Sequence, residues 1–293
     1  MAHEDPTVAG SFESTRARPL SLAARLTHGG SGPTIPLAGS RVRSAPMLIV
    51  SRLAAALFVV ALPVFLVTAN VRFLASDIGY YKHGFREFDS SGRTGLPLSD
   101  LDRAGEEIIE YFEDDAETLR ILVTADGQET SLYNAKETDH MRDVKALIRT
   151  VYRLNEVSLA IVLAYVACAV LWTGERTVAG LARLSLAGVG FGVAVVGVVG
   201  AFALTGFDQA WTTFHEIAFR NDLWRLDPDT DRLIQMFPEE FWQEATFIVA
   251  GLTLAEVTLV VVVSLAYVVF ARDKTGAGGP VPSPAAGPRA VES

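Results

Sequence analysis

Cysteine is nearly absent from this chain, and the one present, Cys168, falls inside a long apolar run. No internal disulfide can form, and a cysteine so placed argues against thiol catalysis outside that run. Histidine is also scarce, with five residues in 293. The sequence holds no serine nucleophile elbow and no H-E-x-x-H pair. Asp227-Pro228-Asp229 with Asp231 is not a complete calcium loop and reads as turn chemistry. The glycines of Gly188–Gly200 (GVGFGVAVVGVVG) are not a dinucleotide loop, because they lie within an apolar run at the wrong spacing. Gly188 and Gly192 form instead a small-xxx-small pair suited to close helix packing. Positive charge does not dominate either. The net charge is -9, and its acidic excess sits in two segments between apolar runs, so it points to no nucleic-acid partner. No repeat of solenoid type is visible.

What the sequence has in quantity is apolar residues, half of the total. They gather in four runs, Leu53–Phe73, Leu154–Trp172, Leu184–Phe207 and Phe247–Phe270, each near the ~20 residues that cross ~30 Å of hydrocarbon. The expected fold is therefore an all-α polytopic membrane protein, a four-transmembrane-helix bundle with a small extracytoplasmic α/β cap. Arg16, Arg18, Arg25, Arg41, Arg43 and Arg52 precede the first run, Arg176 and Arg183 lie between the second and third, and Arg272 and Lys274 follow the fourth. By the positive-inside rule these flanks and both termini face the cytoplasm. The expected organisation is a disordered cytoplasmic arm (1–46), spans at 47–73, 154–173, 184–207 and 247–270, an extracytoplasmic cap (74–153), an extracytoplasmic segment of loops and helices (208–246), and a disordered cytoplasmic tail (271–293). A secretory signal at Met47–Asn70 is the alternative for the first run. That run is long for a signal, and its removal would leave an odd number of spans.

The first outer segment carries helical spacing at Leu98, Leu101, Gly105, Ile108, Ile109 and Phe112, with Ser99 as the expected N-cap and Asp102 in a capping-box-like place. Arg120–Thr124 and Glu129–Tyr133 flank a Gly-containing turn and read as a hairpin. A helix pattern restarts near Thr138. At 100° per residue His140 shares a face with Val144, Leu147, Val151 and Leu154, while Arg142, Lys145, Arg149 and Arg153 take the other side. Asp143, three residues on, can reach its imidazole. In the second outer segment His215 has Trp211 and Phe219 one turn away on either side. Trp224, Trp242, Phe237 and Phe241 fit an aromatic belt at the water–membrane boundary, and Pro238-Glu239-Glu240 is a helix start for the fourth span.

These residues leave more than one chemistry open. His140 and Asp143, completed by His215, Glu216, Asp222 or Asp227, form a weak metal-ligand pattern. A metal-free histidine pair tuned by burial and a carboxylate is the second option, acting as direct acid and base. Structural histidines in a core are the third. His83 reads as a surface residue. Glu256, a carboxylate inside the fourth span, is a functional candidate by position or a hydrogen-bonded packing residue.

The pieces DHMRDVKALI and WTTFHEIAFRNDLWRLDPDTDRLIQMFPEEFW, set between four spans, resemble a bacterial integral-membrane family that includes the lipoprotein intramolecular transacylases. The resemblance covers about residues 48–272. It implies a four-helix membrane bundle with an extracytoplasmic cap in the bacterial plasma membrane. The implied enzyme moves the sn-2 acyl chain of a diacylglyceryl-cysteine lipoprotein onto its N-terminal amine. Its partners are that lipidated N-terminus and membrane lipid, and it needs no cofactor. The positions matching the family's two catalytic histidines are His140 and His215; His215 is assigned as base and His140, oriented by Asp143, as oxyanion or proton partner, with the reverse division of roles as the alternative. The runner-up functions are a lipid-ester hydrolase, another acyltransferase with or without a metal, and a non-enzymatic envelope protein.

Overall fold

Residues 45–125, 127–173, 175–203 and 206–276 are described by the computed structural model. The expected disordered arm and tail fall, for residues 1–44 and 277–293, outside the described residues. Eleven elements follow in the described chain: α1 (Ala45–Ala75), α2 (Ile78–Glu87), α3 (Ser90–Thr94), α4 (Leu98–Glu113), β1 (Leu122–Ala125), β2 (Gln128–Ser131), α5 (Ala135–Thr173), α6 (Glu175–Ala203), α7 (Phe207–Ala218), α8 (Arg232–Met236) and α9 (Glu239–Gly276). The chain is an all-α polytopic membrane protein, and α1, α5, α6 and α9 carry the four stretches long and apolar enough to cross a bilayer.

A helix is the form an apolar chain must take in lipid, because it satisfies its own backbone hydrogen bonds. The bundle then needs only to bury the inward stripe. Phe58, Leu62, Leu66 and Val189 form that core, joined by Tyr165 and Val257. The opposite faces keep Leu53, Leu57, Val157, Leu163, Val263 and Phe270 exposed, as lipid-facing residues should be. Close approach of α1 and α6 depends on the two glycines. A Cβ on Gly188 would stand 3.1 Å from the Val59 carbonyl oxygen, and one on Gly192 would stand 2.5 Å from Pro63 Cβ. The small-xxx-small reading is therefore the observed packing. Glu256 also finds a structural place. Asn70 Nδ2, from α1, donates to Glu256 Oε2 at 2.9 Å and to Thr253 Oγ1 at 3.0 Å on α9.

A second core lies at the end of the bundle where α1 stops and α5 and α9 begin. Tyr80, Tyr81 and Phe85 of α2 pack with Phe237 and Phe241, with ring centroids 4.7 Å apart for Tyr80–Phe241 and 5.4 Å for Phe85–Phe237. Leu101, Ile108 and Phe112 of α4 and Val123 of β1 close the same core. Phe237 and Phe241 are thus buried in this module and not part of an interfacial belt, a correction to the sequence reading. The antiparallel hairpin pairs Ala125 with Gln128 across a turn in which Gly127 takes φ 76°, a conformation that favours glycine.

Two expected helix starts are moved. The α4 N-cap is Pro97 and not Ser99, and Asp102 pairs with Arg86 at 2.8 Å instead of capping. The helix expected from Thr138 begins at Ala135, because Asn134 and Glu137 form the reciprocal capping box. Glu137 Oε2 accepts from the Asn134 backbone N–H at 2.8 Å, and Asn134 Oδ1 accepts from the Glu137 N–H at 3.0 Å. From there α5 runs unbroken to Thr173. Seven charged residues between Lys136 and Arg149 keep its first half out of hydrocarbon, and its charge-free part begins after Glu156. Both sides of that first half are packed. Lys145, on the side away from His140, is buried with its ammonium 2.7 Å from Asp114 Oδ1 and over the Tyr111 ring.

Candidate active site

The capping box that starts α5 also fixes where His140 stands. Glu137 is buried and its Oε1 accepts from the Leu233 backbone N–H of α8 at 2.6 Å. Asn134 Nδ2 donates to Asp231 Oδ1 at 2.8 Å, whose other oxygen accepts from the Asp227 N–H at 2.8 Å. Lys136 donates to the Arg225 carbonyl. The first turn of α5 is thereby tied to residues 225–233, which follow α7 closely in the chain. The loop after α7 is held against α5, and the two histidines meet.

Their ring centroids are 6.2 Å apart. Both are buried, at 5% and 7% exposure, so neither is a surface residue. Phe219 packs against His140 in a T-shaped arrangement with centroids 5.1 Å apart and lies 5.6 Å from His215. Trp211 at 4.5 Å, Trp224 at 5.0 Å and Phe214 at 5.2 Å complete the walls around His215. The spacing that put Trp211 and Phe219 one turn to either side of His215 is realised. Trp224 is a wall of the histidine pocket, a role that the belt reading missed.

The hydrogen bonds distinguish the two imidazoles. His215 Nδ1 lies 2.8 Å from the Trp211 carbonyl oxygen. A carbonyl only accepts, so Nδ1 carries the hydrogen and the neutral ring has its lone pair on Nε2. His140 Nδ1 is buried, and among the described residues no hydrogen-bond partner reaches it. Burial lowers the His140 pKa to about 4, with the His215 ring acting in the same direction and Asp143 opposing. Burial also lowers the His215 pKa, against the contrary pull of its bond to Trp211. Both rings are therefore neutral at pH 7, the state in which one can take a proton and the other can donate a hydrogen bond.

Asp143 is near enough to act on His140 by charge, but its hydrogen bond goes elsewhere. Its Oδ2 accepts from Asn221 Nδ2 at 2.8 Å. Asn221 was not singled out by sequence, and no local periodicity marks it. Beside the pair, a cleft of about 370 Å³ is lined by Asp143, Ala146, Leu147 and Thr150 of α5 and by Phe219, Arg220 and Asn221. It runs along the same face of α5 as His140. His83 is exposed, 3.2 Å from Glu244, outside the pocket. Among the described residues no three His, Cys, Asp or Glu side chains gather as a metal-ligand set, and Glu216 and Asp222 pair with Arg225.

Comparison with known proteins gives the same direction. The family model described as lipoprotein intramolecular transacylase Lit matches residues 56–242. No curated protein matches the chain. Among solved structures, the membrane-integral lipoprotein intramolecular transacylase Lit from Bacillus cereus is similar, with a TM-score of 0.61, 16% identity, and coverage of 77% of this chain and 99% of that one. A histidine-to-arginine variant of the same protein aligns with a TM-score of 0.60 at 16% identity, over 77% of this chain and 95% of that one. A histidine-to-alanine variant aligns at 0.57 and 17% identity, covering 78% and 99%. At these identities the structures establish the shared fold.

Proposed function

Since the chain belongs to the lipoprotein intramolecular transacylase family, a family of membrane-integral enzymes, we propose that it performs acyl transfer with His215 as base and His140 as its partner. The observation that carries this reading is the anchored His215 ring. Its Nδ1–H is held by the Trp211 carbonyl, which leaves Nε2 as the proton acceptor, with a second neutral imidazole across the pocket. The orientation that the arginine flanks imply puts the module containing both histidines outside the cytoplasmic membrane, where lipoprotein N-termini emerge.

The substrate under this reading is a diacylglyceryl-cysteine N-terminus. His215 Nε2 takes a proton from the α-ammonium, and the freed amine attacks the carbonyl carbon of the sn-2 ester. A tetrahedral oxyanion forms, which His140 stabilises by hydrogen bonding as a neutral donor. The C–O bond to glycerol then breaks, the departing oxygen takes the proton held on His215, and the attacking nitrogen releases its remaining surplus proton to solvent, so that the acyl chain is left as a neutral amide on the cysteine nitrogen. Donor and acceptor belong to one molecule, so positioning supplies much of the acceleration and no cofactor enters. The aromatic walls exclude water, which favours aminolysis over hydrolysis of the ester. Asp143 supports the pair by its charge.

The test is expression beside a model lipoprotein, followed by mass spectrometry of the lipoprotein's N-terminus. The expected product has one acyl chain on nitrogen and a free glyceryl hydroxyl. An unchanged diacylglyceryl-cysteine with a free amine would overturn the assignment, and loss of one chain without N-acylation would establish a lipid-ester hydrolase instead.

A further inference from the structure

Asp143 is a carboxylate without a cation. Three other acidic residues around the first half of α5 have cations, Asp114 with Lys145, Asp139 with Arg142 and Asp231 with Lys136, and Glu137 is satisfied by the backbone N–H groups of Asn134 and Leu233. For Asp143, among the described residues, no lysine or arginine lies within ion-pair distance, and Arg220 lines the same cleft without closing on it. One carboxylate oxygen is held by Asn221 at 2.8 Å, which fixes the orientation of the group. Its position is one turn along α5 from His140, near enough for its charge to act on that ring. It also borders the cleft whose other walls include Ala146, Leu147 and Phe219. The site thus offers an oriented, uncompensated negative charge beside two neutral imidazoles and a cleft of mixed polar and apolar lining.

We propose that Asp143, oriented by Asn221, is the seat of the substrate's α-ammonium group. The inference rests on the transacylase reading and gives Asp143 a direct role in binding, in place of a purely indirect one through His140. A lipidated cysteine N-terminus carries a cation at the atom that must become the nucleophile. An ammonium has three N–H donors. One goes to the Asp143 carboxylate, and another is presented to His215 Nε2, which removes that proton, and rotation about the Cα–N bond turns the freed lone pair to the ester. The carboxylate keeps no proton and is unchanged at the end. The same charge selects against N-acylated product, which is neutral at nitrogen, and so favours release after turnover.

The experiment separates binding from chemistry by using ligands that cannot react. Two short peptides carry a dialkyl-ether glyceryl thioether on their N-terminal residue, one with the α-ammonium and one with an α-hydroxyl of the same size. Affinity of the full-length protein for each is measured in lipid nanodiscs at pH 7. Wild-type protein is expected to bind the ammonium ligand roughly tenfold more tightly, the size expected of one hydrogen bond between charged groups. Asp143→Asn is expected to erase that preference, lowering affinity for the ammonium ligand far more than for the hydroxyl ligand, and Asn221→Ala, which keeps the charge but frees it, to reduce the preference in part. Asp143→Ser serves the same purpose where the Asn variant does not fold. An absence of preference in the wild type, or a preference that persists without the carboxylate, overturns the Asp143 assignment. Failure of wild-type protein to bind either ligand overturns the transacylase reading beneath it.

Discussion

Removing the Phe219 ring is the sharpest probe of how burial tunes the two histidines. The ring stands 5.1 Å from His140 in a T-shaped contact and 5.6 Å from His215, and it is itself buried. Desolvation is the leading cause of the lowered pKa of both rings. For His140 the fall from 6.5 to about 4 represents roughly 3 kcal/mol against the imidazolium. Phe219 is one wall among several, so Phe219→Ala should return about one pH unit of this, or about 1.4 kcal/mol. The assay is the pH dependence of kcat/KM for acyl transfer, paired with NMR titration of ring-labelled histidine. In the wild type the acid limb is expected below pH 6.5, because a lowered pKa keeps the base free in mildly acidic solution. In Phe219→Ala it should move upward, toward 6.5, while Phe219→Leu, which keeps an apolar wall, leaves it near the wild-type position. The linkage has a defined sign as well. The unfolded chain takes up a proton on His140 below about 6.5 and the folded one only near 4. Stability from this residue is therefore present above 6.5 and lost as pH falls toward 4. An acid limb at or above pH 6.5 in the wild type, or one that Phe219→Ala leaves in place in a folded protein, refutes the argument.

His215→Gln, which keeps a polar side chain of similar size in the buried pocket, should reduce acyl transfer by about 10²–10⁴-fold in a protein that still melts cooperatively in detergent, and a variant with full activity by N-terminal mass spectrometry would remove His215 from the mechanism. Gly192→Ala puts a methyl 2.5 Å from Pro63 Cβ and should lower stability by about 1–3 kcal/mol, whereas Gly190→Ala, with nothing within 4 Å, should leave the melt unchanged. Glu256→Gln keeps an acceptor for Asn70 and should be tolerated in both stability and activity. Glu256→Leu removes that acceptor and should cost about 1 kcal/mol, and equal melts for the two variants would show that the Asn70 contact is not stabilising. Lys145→Ala strips Asp114 and the Ala116 carbonyl of their shared donor and should destabilise the module by about 1–3 kcal/mol, read as a lower melting temperature at neutral pH.

The parts of this structure visible in the sequence are those set by local period or by length. The four spans are visible because ~20 apolar residues in a row have few alternatives. The aromatic neighbours of His215 are visible because residues four apart on a helix must meet. The start of α5 was also written locally, as Asn134 and Glu137 three residues apart. The apolar stripe begins several residues later, so periodicity alone places the start too far along the chain. Phe237 and Phe241 are ambiguous in sequence for a different reason. Aromatic residues beside a span satisfy both an interface belt and a core, and only the packing of Tyr80, Tyr81 and Phe85 from a segment about 150 residues earlier decides between them. Asn221 and Trp224 acquire their roles entirely through tertiary contact, so no spacing could announce them.

The continuity of α5 changes how lipid access must be understood. His140 precedes Glu156, where the charge-free stretch of α5 begins, by 16 residues, or about 24 Å along the axis at 1.5 Å per residue. On the proposed mechanism the ester carbonyl must therefore rise well above the hydrocarbon while its acyl chains remain attached. Lifting an alkyl chain into water opposes this by about 0.8 kcal/mol per CH₂, so a bare path is excluded for more than a few carbons. The cleft along α5 addresses that opposition. Ala146 and Leu147 provide apolar wall on the helix itself, Phe219 closes it near the histidines, and Thr150 marks its extension toward Leu154 and Val157, which are exposed. A chain drawn along this face exchanges lipid for protein on one side, which lowers the cost of leaving the hydrocarbon. The aliphatic face of α5 that brought His140 into view is then best understood as the wall along which the ester travels, with the imidazole pair and Asp143 at its end.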